Sequence, residues 1–156
     1  MVRIDKLVVF GQRRWPDLRE AHCGDVVQVL GNALQVAAVA RARGIPIVED
    51  FFGVRLAKEL ASQGRQADLM AANNVLAHVP DINDFAAGFA HLLKPQGVAT
   101  FEFPHLMRLV AENQFDTIYH EHFSYFSLGT VSRIFAGAGL TVFDVEELPT
   151  HGGSLR

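Results

Sequence analysis

A chain of 156 residues with 49% hydrophobic and 20% charged residues can bury one sizeable core, which excludes a disordered or fibrous protein. Its formal net charge is −3, and no run of Lys and Arg is long enough for a nucleic-acid footprint. Cys23 is the sole cysteine, so an internal disulfide and a cysteine-based zinc site are excluded; no apolar run approaches a membrane span. No signal peptide is visible, and a cytoplasmic protein is expected.

In chain order, residues 7–10 read as a strand, 11–16 as a loop, and Trp15-Pro16-Asp17-Leu18-Arg19-Glu20 as the opening of a short helix. Residues 26–30 are apolar except for Gln28 and read as a buried strand. Residues 33–43 predict a helix with Val36, Val39 and Ala40 on one face and Gly44 as its stop. A short strand follows at 45–48, then a loop at 49–53 and a helix over 54–63 ending at Gly64. Residues 67–72 predict a strand running into Asn73-Asn74, and Asp81 is the expected N-cap of a helix over 82–93. Lys94-Pro95-Gln96-Gly97 is a turn into a strand at 98–103 that Pro104 stops. Helices are expected over 105–113 and 130–138, and a last strand over 140–145.

Strand and helix in alternation mean an α/β protein with a parallel sheet covered on both faces. Ligands then bind outside the carboxyl ends of the strands. The segments at those ends are Gly31-Asn32, residues 49–53, residues 73–80 and residues 102–105.

One helix further on comes the densest polar run of the chain, Asp116-Thr117-Ile118-Tyr119-His120-Glu121-His122-Phe123-Ser124-Tyr125. Polar groups packed beside Phe115, Phe123 and Phe126 are costly to bury without mutual hydrogen bonds or a task. Histidine titrates near neutrality, a neighbouring carboxylate raises its basicity, and tyrosine can donate to an oxygen that gains charge. These are the groups needed to take a proton from a carbon beside a carbonyl. Two other readings stand next to this one. One is a helix entry whose polar groups satisfy each other. The other is a metal site, because on a strand His120 and His122 point the same way; the sequence singles out no third ligand.

Asn73-Asn74-Val75-Leu76-Ala77-His78-Val79-Pro80-Asp81 resembles the fourth-strand motif of class I S-adenosylmethionine-dependent methyltransferases. Leu93-Lys94-Pro95-Gln96-Gly97 and Phe101-Glu102-Phe103-Pro104-His105 extend that resemblance. The run from Phe115 to Tyr125, with Pro149-Thr150-His151-Gly152-Gly153-Ser154-Leu155-Arg156, narrows it to the sugar-nucleotide C-methyltransferases, over roughly residues 33–156. The resemblance implies a Rossmann-like sheet, S-adenosylmethionine as cofactor, and methylation of the carbon alpha to the ketone of a dTDP-4-keto-deoxysugar. By position it makes His122 the base, Glu121 the group that orients and polarises it, and Tyr119 the hydrogen-bond donor to the developing enolate. It also implies cofactor contacts from Phe51, Phe52, Asn73 and Asn74, and a substrate pocket lined by Glu102, His105 and His151, with no metal. His78 reads as a solvent-facing residue at a helix entry.

The chain departs from the family at both ends. The family's E-x-G-x-x-x-G loop has no counterpart; Phe10-Gly11-Gln12-Arg13-Arg14 is a poor stand-in. The acid that holds the ribose hydroxyls falls at Gly31 or Asn32, where no carboxylate stands. The zinc module and the C-terminal domain are not matched. The expectation is therefore a divergent segment over 1–30 and a truncated methyltransferase-like domain over 31–156, its sheet incomplete at both ends. A second function class stays open, a catalytically inactive Rossmann-like domain that only binds a partner.

Overall fold

The computed structural model describes residues 6–10, 25–30, 41–42 and 44–156. The described strands form one seven-stranded sheet in the order β3-β2-β1-β4-β5-β7-β6. They are β1 (Lys6–Phe10), β2 (Asp25–Leu30), β3 (Ile47–Glu49), β4 (Ala67–Asn73), β5 (Leu93–Pro104), β6 (Glu147–Leu148) and β7 (Ser154–Leu155). β1 to β5 are mutually parallel, with β1 paired to both β2 and β4. Two of the strands thus come from the first thirty residues. β7 runs antiparallel between β5 and β6, so the sheet is mixed rather than wholly parallel. The expected helix at 33–43, the loop after β1, and Gly31-Asn32 lie outside the described residues, apart from positions 41 and 42.

Helix α1 (Val54–Ser62) buries Leu56, Ala57 and Leu60 and leaves Arg55, Lys58 and Glu59 in solvent, the spacing of an amphipathic surface helix. It has no side-chain cap of its own; Asp84 of the next helix accepts from the Val54 N–H at 3.2 Å instead. Helix α2 (Ile82–Leu92) starts where Asp81 accepts from the Asp84 N–H at 3.0 Å, as its sequence requires, and buries Phe85, Ala86, Phe89 and Leu92. Helix α3 (Leu106–Ala111) is short, and helix α4 (Leu128–Gly137) is capped by Ser127 and buries Val131 and Phe135.

A line of aromatic rings joins these layers. Phe85, Phe89, Phe101 and Phe135 stack in sequence with centroids 5.1, 4.6 and 4.4 Å apart, linking α2 through β5 to α4. Beneath them Ala67, Met70 and Ala72 of β4 are fully buried.

Two differences from the sequence reading have local causes. The turn at 94–97 is absorbed into β5: Ala67 pairs with Leu93 and Leu69 with Val98, so four residues bulge between successive pairs. The strand expected at 140–145 is irregular, and pairing starts only at Glu146, which exchanges two backbone hydrogen bonds with Arg156 beside β7. Strand-forming composition does not make a strand without a neighbour to bond to.

Phe89 has no exposed surface and touches three rings, whereas Phe143 is 77% exposed. Phe89→Ala is expected to lose about 3–5 kcal/mol in urea unfolding. Phe143→Ala should stay within about 0.5 kcal/mol of the parent.

Candidate active site

β4 and β5 end side by side. Asn73 pairs with Glu102, and the Asn74 N–H donates to the Glu102 carbonyl at 2.7 Å. Asn73, Asn74 and Glu102 therefore share one edge, the carboxyl ends of the parallel strands, as the sequence reading expected. Asn74 itself has φ 54°, a left-handed conformation that asparagine tolerates and that turns the chain sharply off the strand.

The polar run crosses this edge. It is tied down at three points: the Phe123 N–H donates to the Ala77 carbonyl at 2.8 Å, His78 Nδ1 donates to the Glu121 carbonyl at 3.0 Å, and the Leu106 N–H donates to the Phe126 carbonyl at 3.0 Å. The segment is a turn followed by irregular chain, not a strand. That resolves a geometric problem, since on a strand Tyr119 would face away from His122. Here the Tyr119 hydroxyl lies 3.0 Å from His122 Nε2, and the two rings are 4.2 Å apart.

His122 is held on its other side by the Thr117 carbonyl, 2.8 Å from Nδ1. A carbonyl only accepts, so Nδ1 carries the proton and Nε2 presents its lone pair. Tyr119 must then donate to Nε2. The Tyr125 hydroxyl donates to the same Thr117 carbonyl at 3.3 Å and stands edge-on to the imidazole. Burial holds the His122 pKa below the ordinary histidine value; the Thr117 carbonyl and the Glu121 charge pull it up, while the His78 ring, 4.7 Å away, pushes it down. The net direction keeps the imidazole neutral at pH 7 and able to take a proton.

Glu121 and His120 do not join this cluster by contact. The Glu121 carboxylate is exposed and lies 4.0 Å from His120, and no hydrogen bond links it to His122. The orienting contact expected of Glu121 comes instead from the Thr117 carbonyl, and Glu121 acts on His122 through its charge. His120 is 90% exposed, and among the described residues no three His, Cys, Asp or Glu side chains gather as metal ligands.

The chain's last segment closes the other side of the edge. Glu102 is buried; Thr150 donates to its Oε1 at 2.8 Å and Arg156 to its Oε2 at 2.9 Å. Burial alone would raise its pKa, but the bonds to Arg156 and Thr150 and the nearby charges of Arg156 and His151 outweigh it and hold the carboxyl below its ordinary value. Asn74 Nδ2 donates to His151 Nε2 at 2.9 Å, so two residues 77 positions apart meet across the edge. His151, Gly152 and Gly153 all have positive φ. It is the backbone that calls for glycine at 152 and 153, with φ of 77° and 118°; the nearest atoms to an added side chain, Gln114 Oε1 and Arg108 Cδ, belong to flexible side chains that could move aside.

Of the other residues singled out from the sequence, Phe52 packs edge-on against Phe85 and Phe89 in the core, and Phe51 is 69% exposed beside the end of β3. Asn73 Oδ1 and His105 Nδ1 are buried with no hydrogen-bond partner among the described residues. Such groups are rare in a finished site and fit a ligand that supplies the missing partner. Sequence reasoning missed Thr117, Tyr125, Thr150 and Arg156 as contributors, and took His78 as solvent-facing although its ring bonds the run and abuts His122.

A seven-stranded sheet of this order, with its polar residues gathered at the carboxyl edge, is the architecture of the Rossmann-like methyltransferases. The model of the methyltransferase domain matches residues 14–145. The C-methyltransferase NovU of Streptomyces niveus is 39% identical over 154 residues, which are 97% of this chain and 36% of that protein. The chain thus spans about a third of the length of this relative. The S-adenosylmethionine-dependent methyltransferase of Archaeoglobus fulgidus superposes with a TM-score of 0.72 at 15% identity, over 92% of this chain and 63% of that one. The enzyme of the same class from Mesorhizobium loti gives 0.68 at 15% identity, over 94% and 79%. The chain belongs to the methyltransferase-domain family, and S-adenosylmethionine is the cofactor of that family. Asn73 Oδ1, an acceptor at the end of β4 with no partner among the described residues, fits a cofactor that carries an ammonium and ribose hydroxyls.

The Glu102 pKa is lowered on folding, so its contribution to stability is present above its ordinary value of 4.5 and is lost as pH falls through and below that value. Glu102→Gln is expected to lower stability by on the order of 1–3 kcal/mol at pH 7. The gap between variant and parent should shrink as the pH of thermal unfolding is taken below 4.5.

Proposed function

We propose that the chain carries the base and cofactor edge of an S-adenosylmethionine-dependent C-methyltransferase whose substrate is a keto-deoxysugar nucleotide, methylated on the carbon alpha to its ketone. The observation that carries this reading is the fixed His122: Nδ1–H on the Thr117 carbonyl, Nε2 facing the Tyr119 hydroxyl at 3.0 Å. A general base needs a free lone pair of known direction and a pKa that leaves it neutral. The name of NovU and its 39% identity support carbon as the accepting atom.

In this reading His122 Nε2 takes the alpha proton, and the C–H electron pair moves into an enolate. The Tyr119 hydroxyl turns its hydrogen from Nε2 to the enolate oxygen and stabilises the charge there. Glu121 offsets the charge of the imidazolium that forms. When bound, S-adenosylmethionine supplies the electrophilic methyl group that the enolate carbon takes. In this reading Asn73, Asn74 and Phe51 meet the cofactor, while Phe52 stays packed in the core; Glu102, His105 and His151 are on the sugar side, with His105 Nδ1, which has no partner among the described residues, open to a hydroxyl or phosphate. No described helix is long and apolar enough to cross a membrane.

The test is exchange of the alpha proton of a dTDP-4-keto-deoxysugar with deuterated water, which needs no methyl donor. His122→Ala is expected to slow exchange about 10²–10⁴-fold, the ordinary cost of losing a general base, while His120→Ala leaves it nearly unchanged. Equal loss in both, or loss only with His120→Ala, would count against the assignment. Because burial lowers the His122 pKa, the acid limb of the exchange profile should fall below pH 6.5.

Calorimetric titration tests the cofactor half separately. The sequence has neither a glycine-rich loop after residue 10 nor an acid at Gly31 or Asn32. A few lost contacts at about 1–3 kcal/mol each weaken binding by orders of magnitude. S-adenosylmethionine is therefore expected to bind more weakly than the low micromolar range; tight binding would mean that the N-terminal residues supply contacts of another kind.

A further inference from the structure

The stretch 111–120 leads from the end of α3 to the polar run, and within it only Gln114 and Thr117 are half-buried; the rest are exposed. The two stand three residues apart at the 3₁₀ turn Phe115–Thr117, so their side chains leave the chain on the same side. Asn113, with φ 53°, turns the chain off α3, and the Gln114 N–H donates back to the Leu109 carbonyl at 3.0 Å. Apolar packing does little to hold this turn, since Phe115 is 73% exposed and Ile118 63%. Side-chain hydrogen bonds hold it instead. Gln114 Nε2 donates to the Gly152 carbonyl at 2.8 Å, 38 positions away, and to Glu112 Oε2 at 2.7 Å. Both partners only accept, so the two amide hydrogens are used and the orientation of the amide is fixed. The Gln114 carbonyl accepts from Thr117 Oγ1 at 2.9 Å, and the Thr117 carbonyl holds His122 Nδ1 at 2.8 Å. One chain of bonds thus runs from the glycine turn to the imidazole.

We propose that Gln114 is a positioning residue for His122: through the Gly152 carbonyl and the Thr117 hydroxyl it sets the Thr117 carbonyl, and with it the tautomer and aim of the imidazole. The proposal rests on the reading of His122 as the base and deepens it. The hydrogen bond made by one ring nitrogen of a histidine decides the state of the other. Here that bond goes to a carbonyl, whose direction depends on whatever holds its turn. The Tyr125 hydroxyl reaches the same carbonyl, but at 3.3 Å, which is long for an O–H···O bond. Gly152 follows His151, whose ring bonds Asn74 of β4 at 2.9 Å. A single amide therefore ties the sugar side of the pocket to the base side and sets their spacing. A glutamate at 114 would bring no proton to the Gly152 carbonyl or to Glu112, so the site calls for a donor of this length.

The test combines ring-nitrogen NMR of His122, at about pH 8 where an unperturbed histidine is neutral, with the alpha-proton assay. Gln114→Met keeps an unbranched side chain of similar length and removes both of its hydrogen bonds; Thr117→Val removes the hydroxyl alone. Each is expected to shift His122 from the Nδ1–H form to a mixture containing the Nε2–H form. Each should also lower the maximal exchange rate about tenfold, while the substrate concentration at half-maximal rate changes less than about twofold. Because both act through one chain of bonds, the double variant should lose no more than the worse single variant. An unshifted His122 spectrum in the folded variants overturns the proposal. Additive losses in the double variant overturn it too, since the two residues would then act separately. Should Gln114→Met fail to fold, the Thr117→Val spectrum decides by the same criterion. The spectrum needs no substrate, so a parent chain without alpha-proton exchange would count against the base reading and still leave the positioning of His122 tested.

Discussion

The buried carboxylate of Glu102 is the constraint on which the edge of the sheet depends. It stands at the end of β5, a position where an unpaired charge would be expelled or neutralised. Arg156 and Thr150 both bond to it, and both come from the chain's last segment, about fifty residues away. Meeting that one charge brings the His151-Gly152-Gly153 turn over the edge. The turn brings His151 to Asn74, and Asn74 is already bonded through its backbone to Glu102. A closed loop of bonds thus links β4, β5 and β7, and the positive φ angles of Asn74 and His151 persist because this loop over-determines them.

The polar run is built on a different principle, in which backbone carbonyls rather than side chains select the states of the side chains. Thr117 fixes the tautomer of His122, and the Glu121 carbonyl fixes that of His78. Carbonyls do not titrate, so these assignments hold across the pH range in which histidine changes charge. Glu121, which could have served the same purpose, would be a weaker device because its side chain is exposed and screened.

Much of the fold was legible in the sequence because its elements carry local signals: the cap at Asp81, the glycine stop at Gly64, and alternation of strands with helices. The shared edge of Asn73 and Glu102 followed from those signals together with the rule for parallel sheets. What was not legible depends on partners distant in sequence. Residues 140–145 have strand composition but lie where β7 offers no pairing. Thr117 contributes a carbonyl, and no residue type announces that. Arg156 reads as an ordinary terminal arginine until Glu102 is seen buried beside it. His78 looked solvent-facing because its helix entry is polar, whereas the run folding back over it is invisible from its own neighbours.

The Tyr119–His122 pair has one more consequence under the proposed chemistry. In the site as it stands, the phenol proton occupies the lone pair that a base needs. The base is therefore masked until something else accepts that hydrogen bond. A ketone oxygen can do so, and an enolate oxygen does so better, because charge-assisted hydrogen bonds are stronger. The substrate would then uncover the base and engage the oxyanion donor by a single rotation of the Tyr119 hydroxyl. Water in the same position competes less well as charge develops, so the pair favours proton removal only when a carbonyl is seated. The fixed Nδ1–H on Thr117 is what makes this work, since an imidazole free to change tautomer could donate from Nε2 to Tyr119 and move its lone pair to Nδ1, away from Tyr119.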